Sequence, residues 1–102
     1  MGGTSSINSM NFVRGSRHDF DNWANEYNAT GWNYTNVLEN FKAIENFNIS
    51  TVPEEQIKKY HGKSGETPIN YPGYNTSLSY AFLNACNESN YDYVDYNGQN
   101  HT

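Results

Sequence analysis

The sequence predicts a mixed α/β chain rich in helix, with three amphipathic helices, one or two short strands and long loops. Three stretches repeat apolar residues at the 3.6-residue period. Capping residues precede the first two of them, and only one short run reads as strand. Ser16 and Asp19 stand at the spacing of a capping box, ahead of Phe20, Trp23, Ala24 and Tyr27 at i, i+3, i+4 and i+7, and Gly31 is expected to end that helix. Asn33 can cap a second helix with Tyr34, Val37, Leu38, Phe41 and Ile44 on its apolar face and Glu39, Lys42 and Glu45 on its outer face. Residues 46–65 read as a connecting loop, in which Pro53 starts a short helix through Ile57. Thr67 to Tyr71, between Pro68 and Pro72, is the strand, and Pro68 places it at an edge. Leu78, Ala81, Phe82 and Ala85 mark the third amphipathic helix, closing near Ser89 and Asn90, and Asp95-Tyr96-Asn97-Gly98 is a turn.

Charge and composition restrict the function. Eleven Asp and Glu against six Lys and Arg give a net charge of −5 over 102 residues, which excludes the cationic surface that nucleic acid or an anionic membrane requires. No stretch approaches the roughly 18 apolar residues of a membrane span, and no basic-then-apolar leader follows Met1. The single Cys86 allows no internal disulfide and lacks the paired spacing of a metal site. Leu, Ile, Val and Phe number 17, below the roughly 20% at which chains often fail to fold alone. With a mean hydropathy of −0.91 and a strand lacking a partner, the chain is expected to be a piece of a larger unit, loosely ordered by itself.

The segment 1–15 carries the chemistry. Gly2-Gly3, Thr4-Ser5, Ser6, Ile7, Asn8, Phe12, Gly15 and Asp21 fall, in order and at the required spacing, on a first signature of the glucose, methanol, choline (GMC) oxidoreductases, which this segment resembles. Gly31-Trp32-Asn33-Tyr34, Val37-Leu38, Phe41-Lys42, Glu45, Tyr60-His61-Gly62, Gly65, Tyr71-Pro72 and Asp95-Tyr96-Asn97-Gly98 continue the likeness over the whole chain and are similar to the glucose-dehydrogenase-like branch of arthropods. The resemblance implies an internal piece, 1–102, of the FAD-binding region of a flavoenzyme that oxidises CH–OH groups of an alcohol or sugar. It implies flavin contact at Gly2, Gly3, Thr4, Asn8, Ser9, Met10 and Asn11. Glycines there let backbone approach a planar or phosphorylated ligand, and amides at the start of the next helix, with the hydroxyls of Thr4, Ser5 or Ser6, suit pyrophosphate or flavin oxygens. Some members attach the flavin through a His before the Asn. Ile7 holds that position here, which implies FAD held without a covalent bond. By the same correspondence the ADP-binding glycine turn would precede Met1 and the catalytic His pair would follow Thr102. The chain therefore carries no catalytic residue, and alone it is expected to be inactive.

Other residues weigh towards ordinary roles. His18 and His61 read as surface or structural histidines, and Glu54-Glu55 before Lys58-Lys59 as a solvated i,i+4 face. Trp23, Tyr27, Trp32 and Tyr34 could form a sugar-stacking platform, but their helical spacing favours packing. Asn28, Asn33, Asn48, Asn75, Asn87 and Asn100 head N-x-S/T sequons, six where chance gives about three, and lean towards secretion, although Asn33 as a cap is a poor acceptor. These features keep open an alternative, a secreted glycosylated carbohydrate-binding or interaction module without catalysis.

Overall fold

A computed structural model of the chain describes residues 2–99, so Met1 and the Asn100 sequon lie outside the described residues. A single 3-10 turn, Thr4–Ser6, is followed by α1 (Arg17–Glu26), α2 (Tyr34–Ile44), β1 (Glu45–Phe47), α3 (Glu54–Tyr60), β2 (Thr67–Ile69) and α4 (Ser77–Glu88). The first two helices begin where local chemistry starts them. The Ser16 hydroxyl accepts from the His18 amide at 3.2 Å, and the Asn33 side chain accepts from the Asn36 amide at 3.0 Å. The first helix stops before Gly31, because Asn28 takes the left-handed conformation (φ 53) and the Ala29 amide reaches the Trp23 carbonyl at 3.0 Å. Asn90 (φ 61) closes α4 in the expected way, with the Tyr91 amide on the Cys86 carbonyl at 2.9 Å.

The strand Thr67–Ile69 has its partner inside the chain. It pairs in parallel with β1, Glu45 opposite Thr67 and Phe47 opposite Ile69, and α3 lies in the crossover, a βαβ arrangement. Residues 46–65 are therefore more than a connecting loop, since they supply most of β1, all of α3 and the buried Ile57, Tyr60 and His61. β1 is three residues long and contains Glu and Asn, poor strand formers, so neither period nor propensity marks it.

The apolar core is small: Phe20, Val37, Phe47, Ile57 and Tyr60. α1 packs on α2 through the edge-to-face pair Phe20 and Phe41, centroids 5.9 Å apart, while Asp21 accepts the first amide of α2 from Tyr34 at 2.9 Å. Ile44, expected on the apolar face, is half exposed, and none of the α4 residues is buried.

A polar cluster completes the core. Glu45 was expected on the outer face of α2, yet the helix ends at Ile44, the backbone turns extended at Glu45, and its side chain is fully buried. One carboxylate oxygen accepts from Arg14 Nε at 3.2 Å and from Arg14 Nη2; the other accepts from His61 Nδ1 and the Gly62 amide, both at 3.2 Å. His61 Nε2 donates to Asp95 Oδ2 at 2.6 Å, and the ring stacks on Phe47 at 3.8 Å. His61 is thus a buried structural residue, not a surface one. Both ring nitrogens face carboxylates, although Arg14 Nη2 also lies 3.5 Å from Nδ1, and this favours the imidazolium; in that form Arg14, His61, Glu45 and Asp95 together are electrically neutral.

Burial disfavours the charged forms of all three titratable members, but their partners outweigh it. Hydrogen bonds from His61 and Arg14 hold Glu45 below the usual carboxylate range, His61 does the same for Asp95, and Asp95 and Glu45 raise His61 above its ordinary 6.5. A raised histidine stabilises the fold below its unfolded pKa and loses that contribution as pH rises through its folded pKa. Depressed carboxylates contribute above their ordinary values and lose that contribution as pH falls through their folded ones. In the full-length protein, the drop in thermal midpoint caused by His61→Gln should be largest between roughly pH 5 and 6.5 and shrink on either side. A penalty that grows steadily into alkaline pH contradicts this charge assignment.

Two glycines mark close backbone approach. A Cβ at Gly62 would overlap the Lys42 carbonyl, and one at Gly65 the Ile44–Glu45 peptide, whereas one at Gly73 meets nothing within 4 Å. Gly65→Ala should cost at least about 1–3 kcal/mol and Gly73→Ala about nothing, as read by denaturant midpoints. Equal midpoints would show that the β1 junction relaxes freely.

Candidate flavin-side segment and its cleft

The segment from Gly2 to Asn11 is exposed throughout. Gly3 holds φ 74 and ψ −159, a conformation essentially reserved for glycine, and nothing lies within 4 Å of where its Cβ would stand. The helix expected after the glycines is only the 3-10 turn, closed by the Ser6 amide on the Gly3 carbonyl at 3.1 Å, with the Ser5 hydroxyl on the Gly2 carbonyl at 3.1 Å. The amide of Ser6 and the hydroxyl of Ser5, expected to face a ligand, are thus engaged locally. Asn8 folds over the chain after it, its Oδ1 accepting from the Met10 amide at 2.7 Å while Met10 adopts φ 55. Such an Asx turn holds a non-glycine residue in the left-handed region.

Residues 8–12 form one wall of a cleft of about 1010 Å³, whose other walls are β2 with the residues after it (Thr67–Pro72), Tyr93–Asn97, and Phe47, Ile49 and Val52. Asn8, Ser9, Met10 and Asn11 therefore share one cavity, whereas Gly2, Gly3 and Thr4 are not part of its lining. Across the cleft the Tyr71 and Tyr93 hydroxyls lie 3.3 Å apart, Thr51 also bonding Tyr71, and this bond and burial raise the pKa of Tyr93. A volume of this order is that of a pocket for a large organic ligand. Its lining mixes amides, hydroxyls and aromatic rings with aliphatic side chains such as Ile49, Val52, Ile69 and Val94, a mixture that a planar heteroaromatic group can meet with its face and its polar edge.

The other singled-out residues fall elsewhere. His18 is exposed on α1, and Glu54 pairs with Lys58 at 3.1 Å on a solvated face. Trp23 stands edge-on to Phe20 and to Trp32, at 5.4 and 5.9 Å, half packed and half exposed, while Tyr27 is largely exposed. Arg14, Glu45 and Asn97 carry the internal connections of the site; the sequence marks Glu45 and Asn97 as members of the ordered motif series and does not single out Arg14. Their mutual contacts span up to 83 positions and leave no local signal.

Comparison with known proteins identifies the family of the chain. The family model described as GMC oxidoreductase matches residues 1–102. Glucose dehydrogenase (FAD, quinone) of Drosophila melanogaster is 45% identical over 103 residues, covering 100% of this chain and 16% of that protein. Oxygen-dependent choline dehydrogenase of Brucella anthropi is 38% identical over 100 residues, 97% of this chain and 17% of that protein. Among solved structures, pyridoxine 4-oxidase from Mesorbium loti superposes with a TM-score of 0.65 and 28% identity, over 82% of this chain and 16% of that one. The chain thus spans about a sixth of the length of these relatives, and a helix-rich α/β segment with a short parallel sheet, matched along its whole length, belongs to the GMC oxidoreductase family.

Proposed function

We propose that the whole protein is an FAD-dependent oxidoreductase that converts a CH–OH group of a small alcohol or sugar to a carbonyl, and that this chain supplies the flavin-side segment. Membership of the family over residues 1–102 carries the proposal and removes the ground for a non-catalytic carbohydrate-binding module. The name of the Drosophila relatives, glucose dehydrogenase (FAD, quinone), supports a sugar or alcohol as substrate and FAD as cofactor.

The residues present fit such a cofactor. Gly3 leaves open space where a side chain would stand, and Asn8 to Asn11 wall a cleft of suitable size. When bound, FAD supplies a two-electron acceptor for the hydride of the carbinol carbon. The part of this chain would be to bind and orient: Gly2 and Gly3 would permit backbone approach, Thr4 would add a hydroxyl, and Asn8, Ser9, Met10 and Asn11 would contact the flavin. Ile7, a carbon side chain without a nucleophilic atom, fits FAD held without a covalent bond at that position. The catalytic proton acceptor belongs outside 1–102, by family correspondence. The excess of sequons supports export of the full-length protein, and Asn28 and Asn75 are exposed positions at which glycans fit.

In the full-length protein, Gly3→Val forces a β-branched residue into a conformation costing of order 1–3 kcal/mol, and should leave largely apo protein. Asn8→Leu removes the acceptor that fixes Met10, and should weaken FAD retention or shift the flavin potential. Flavin absorbance per protein and turnover of the purified variants test this. Full FAD content with normal turnover in both would overturn the placement of the flavin along residues 2–11.

A further inference from the structure

Within residues 2–11, side-chain hydrogen bonds to described residues run no further than three positions along the chain, so they cannot set where the segment lies on the protein. Its long-range hold begins just beyond it. The Asn97 side chain accepts from the Arg14 amide at 3.1 Å and donates to the Phe12 carbonyl at 2.8 Å, pairing with that backbone as a neighbouring strand would. Two residues earlier, Asp95 grips His61 at 2.6 Å, His61 grips Glu45, and Glu45 holds the Arg14 guanidinium with two of its nitrogens. The Asp95–Gly98 turn thus holds Arg14 twice, by its backbone and, through two buried relays, by its side chain.

The turn is built for this task. The Asn97 amide donates to Asp95 Oδ1 at 3.1 Å and the Gly98 amide to the Asp95 carbonyl at 3.1 Å, which fixes both gripping side chains relative to each other. Gly98 is required because a Cβ would stand 2.7 Å from Asp95 Oδ2, the atom that holds His61. An amide side chain carries its donor and its acceptor on separate atoms, and Asn97 uses both on one stretch of backbone.

We infer that Asp95 and Asn97 are positioning residues for the cofactor: by fixing Phe12–Arg14 they set the path of Asn8–Asn11 along the flavin, without themselves touching the reacting atoms. This inference rests on the proposal above that those residues face FAD.

The test uses the full-length protein purified with its flavin, in four forms: Asn97→Ala, which releases the backbone grip; Asp95→Asn, which weakens the side-chain relay; Asn8→Leu; and Lys58→Ala, an exposed control. Hydrogen exchange of the peptide covering residues 8–14, FAD per protein, and the visible spectrum and reduction potential of the flavin that remains bound are read together with thermal midpoints. We expect exchange at the Arg14 amide to rise at least about tenfold in Asn97→Ala, with FAD loss and an altered flavin spectrum or potential. Asp95→Asn should give the same changes in smaller measure, and Lys58→Ala none. Should Asn97→Ala fail to fold, Asp95→Asn carries the decision. A purely structural role would lower midpoints while leaving the retention, spectrum and potential of the flavin unchanged, and that result overturns the inference. If Asn8→Leu perturbs the flavin and the two turn variants do not, the positioning role is wrong and the flavin placement stands. If none of the three perturbs it, the flavin placement is wrong and the positioning role falls with it.

Discussion

The carboxylate of Glu45 is the constraint on which the rest of the chain is arranged. A charged group removed from water costs several kcal/mol unless its lone pairs are filled, and here four donors fill them: two nitrogens of Arg14, one of His61 and the Gly62 amide. Those donors come from the N-terminal segment and from the stretch that follows α3, while Asp95 adds a fourth region through His61. Since Arg14, Glu45 and His61 are charged and buried and Asp95 is largely enclosed, moving any one of these segments would leave a buried charge without its partner. The polar cluster therefore imposes one relative placement on four pieces of chain that the five buried apolar residues could not orient by themselves.

How much of this could be read beforehand depends on the range of the interaction. Ser16 and Asn33 cap helices through amides two or three residues away, and both were legible. Glu45 was misplaced because its spacing from Glu39 and Lys42 continues the outer face of a helix that in fact ends at Ile44, where the 100° rule lapses. His61 sits among Lys58, Lys59 and Lys63, which suggests solvent, but the backbone leaves α3 extended at φ −125 and carries the ring inward. Asn97 read as half of an Asn-Gly turn, which it is, while its bonds to residues 12 and 14 could not be seen from any window of sequence. The family was legible through the ordered motif series and not through composition, which yielded exclusions only.

The apolar stripe of α4 presents the opposite case, a pattern read correctly whose burial is missing. Leu78 and Phe82 recur at helical spacing, yet they are 75% and 67% exposed, and α4 packs extensively on no other described element. Tyr27, Tyr74, Tyr91 and Tyr93 are likewise exposed. A patch of this kind is uncommon on a self-sufficient domain, and the chain covers only about a sixth of its relatives' length. Amphipathic spacing fixes the helix and its sidedness, but whether that side is covered is decided by surfaces outside these 102 residues.

The contrast between the buried cluster and the exposed segment before it has a physical logic. Met10, a non-glycine residue at φ 55, is held there by the Asn8 side chain, a bond local to the segment. A segment so exposed would relax into other conformers if its downstream end were loose, because fixing each residue costs about 1–2 kcal/mol of backbone entropy. Pinning Phe12–Arg14 removes the freedom of one end of Asn8–Asn11 at folding rather than at ligand binding. The conformational cost is then met by the buried ion pairs, and a ligand entering the cleft meets a wall whose path is already set.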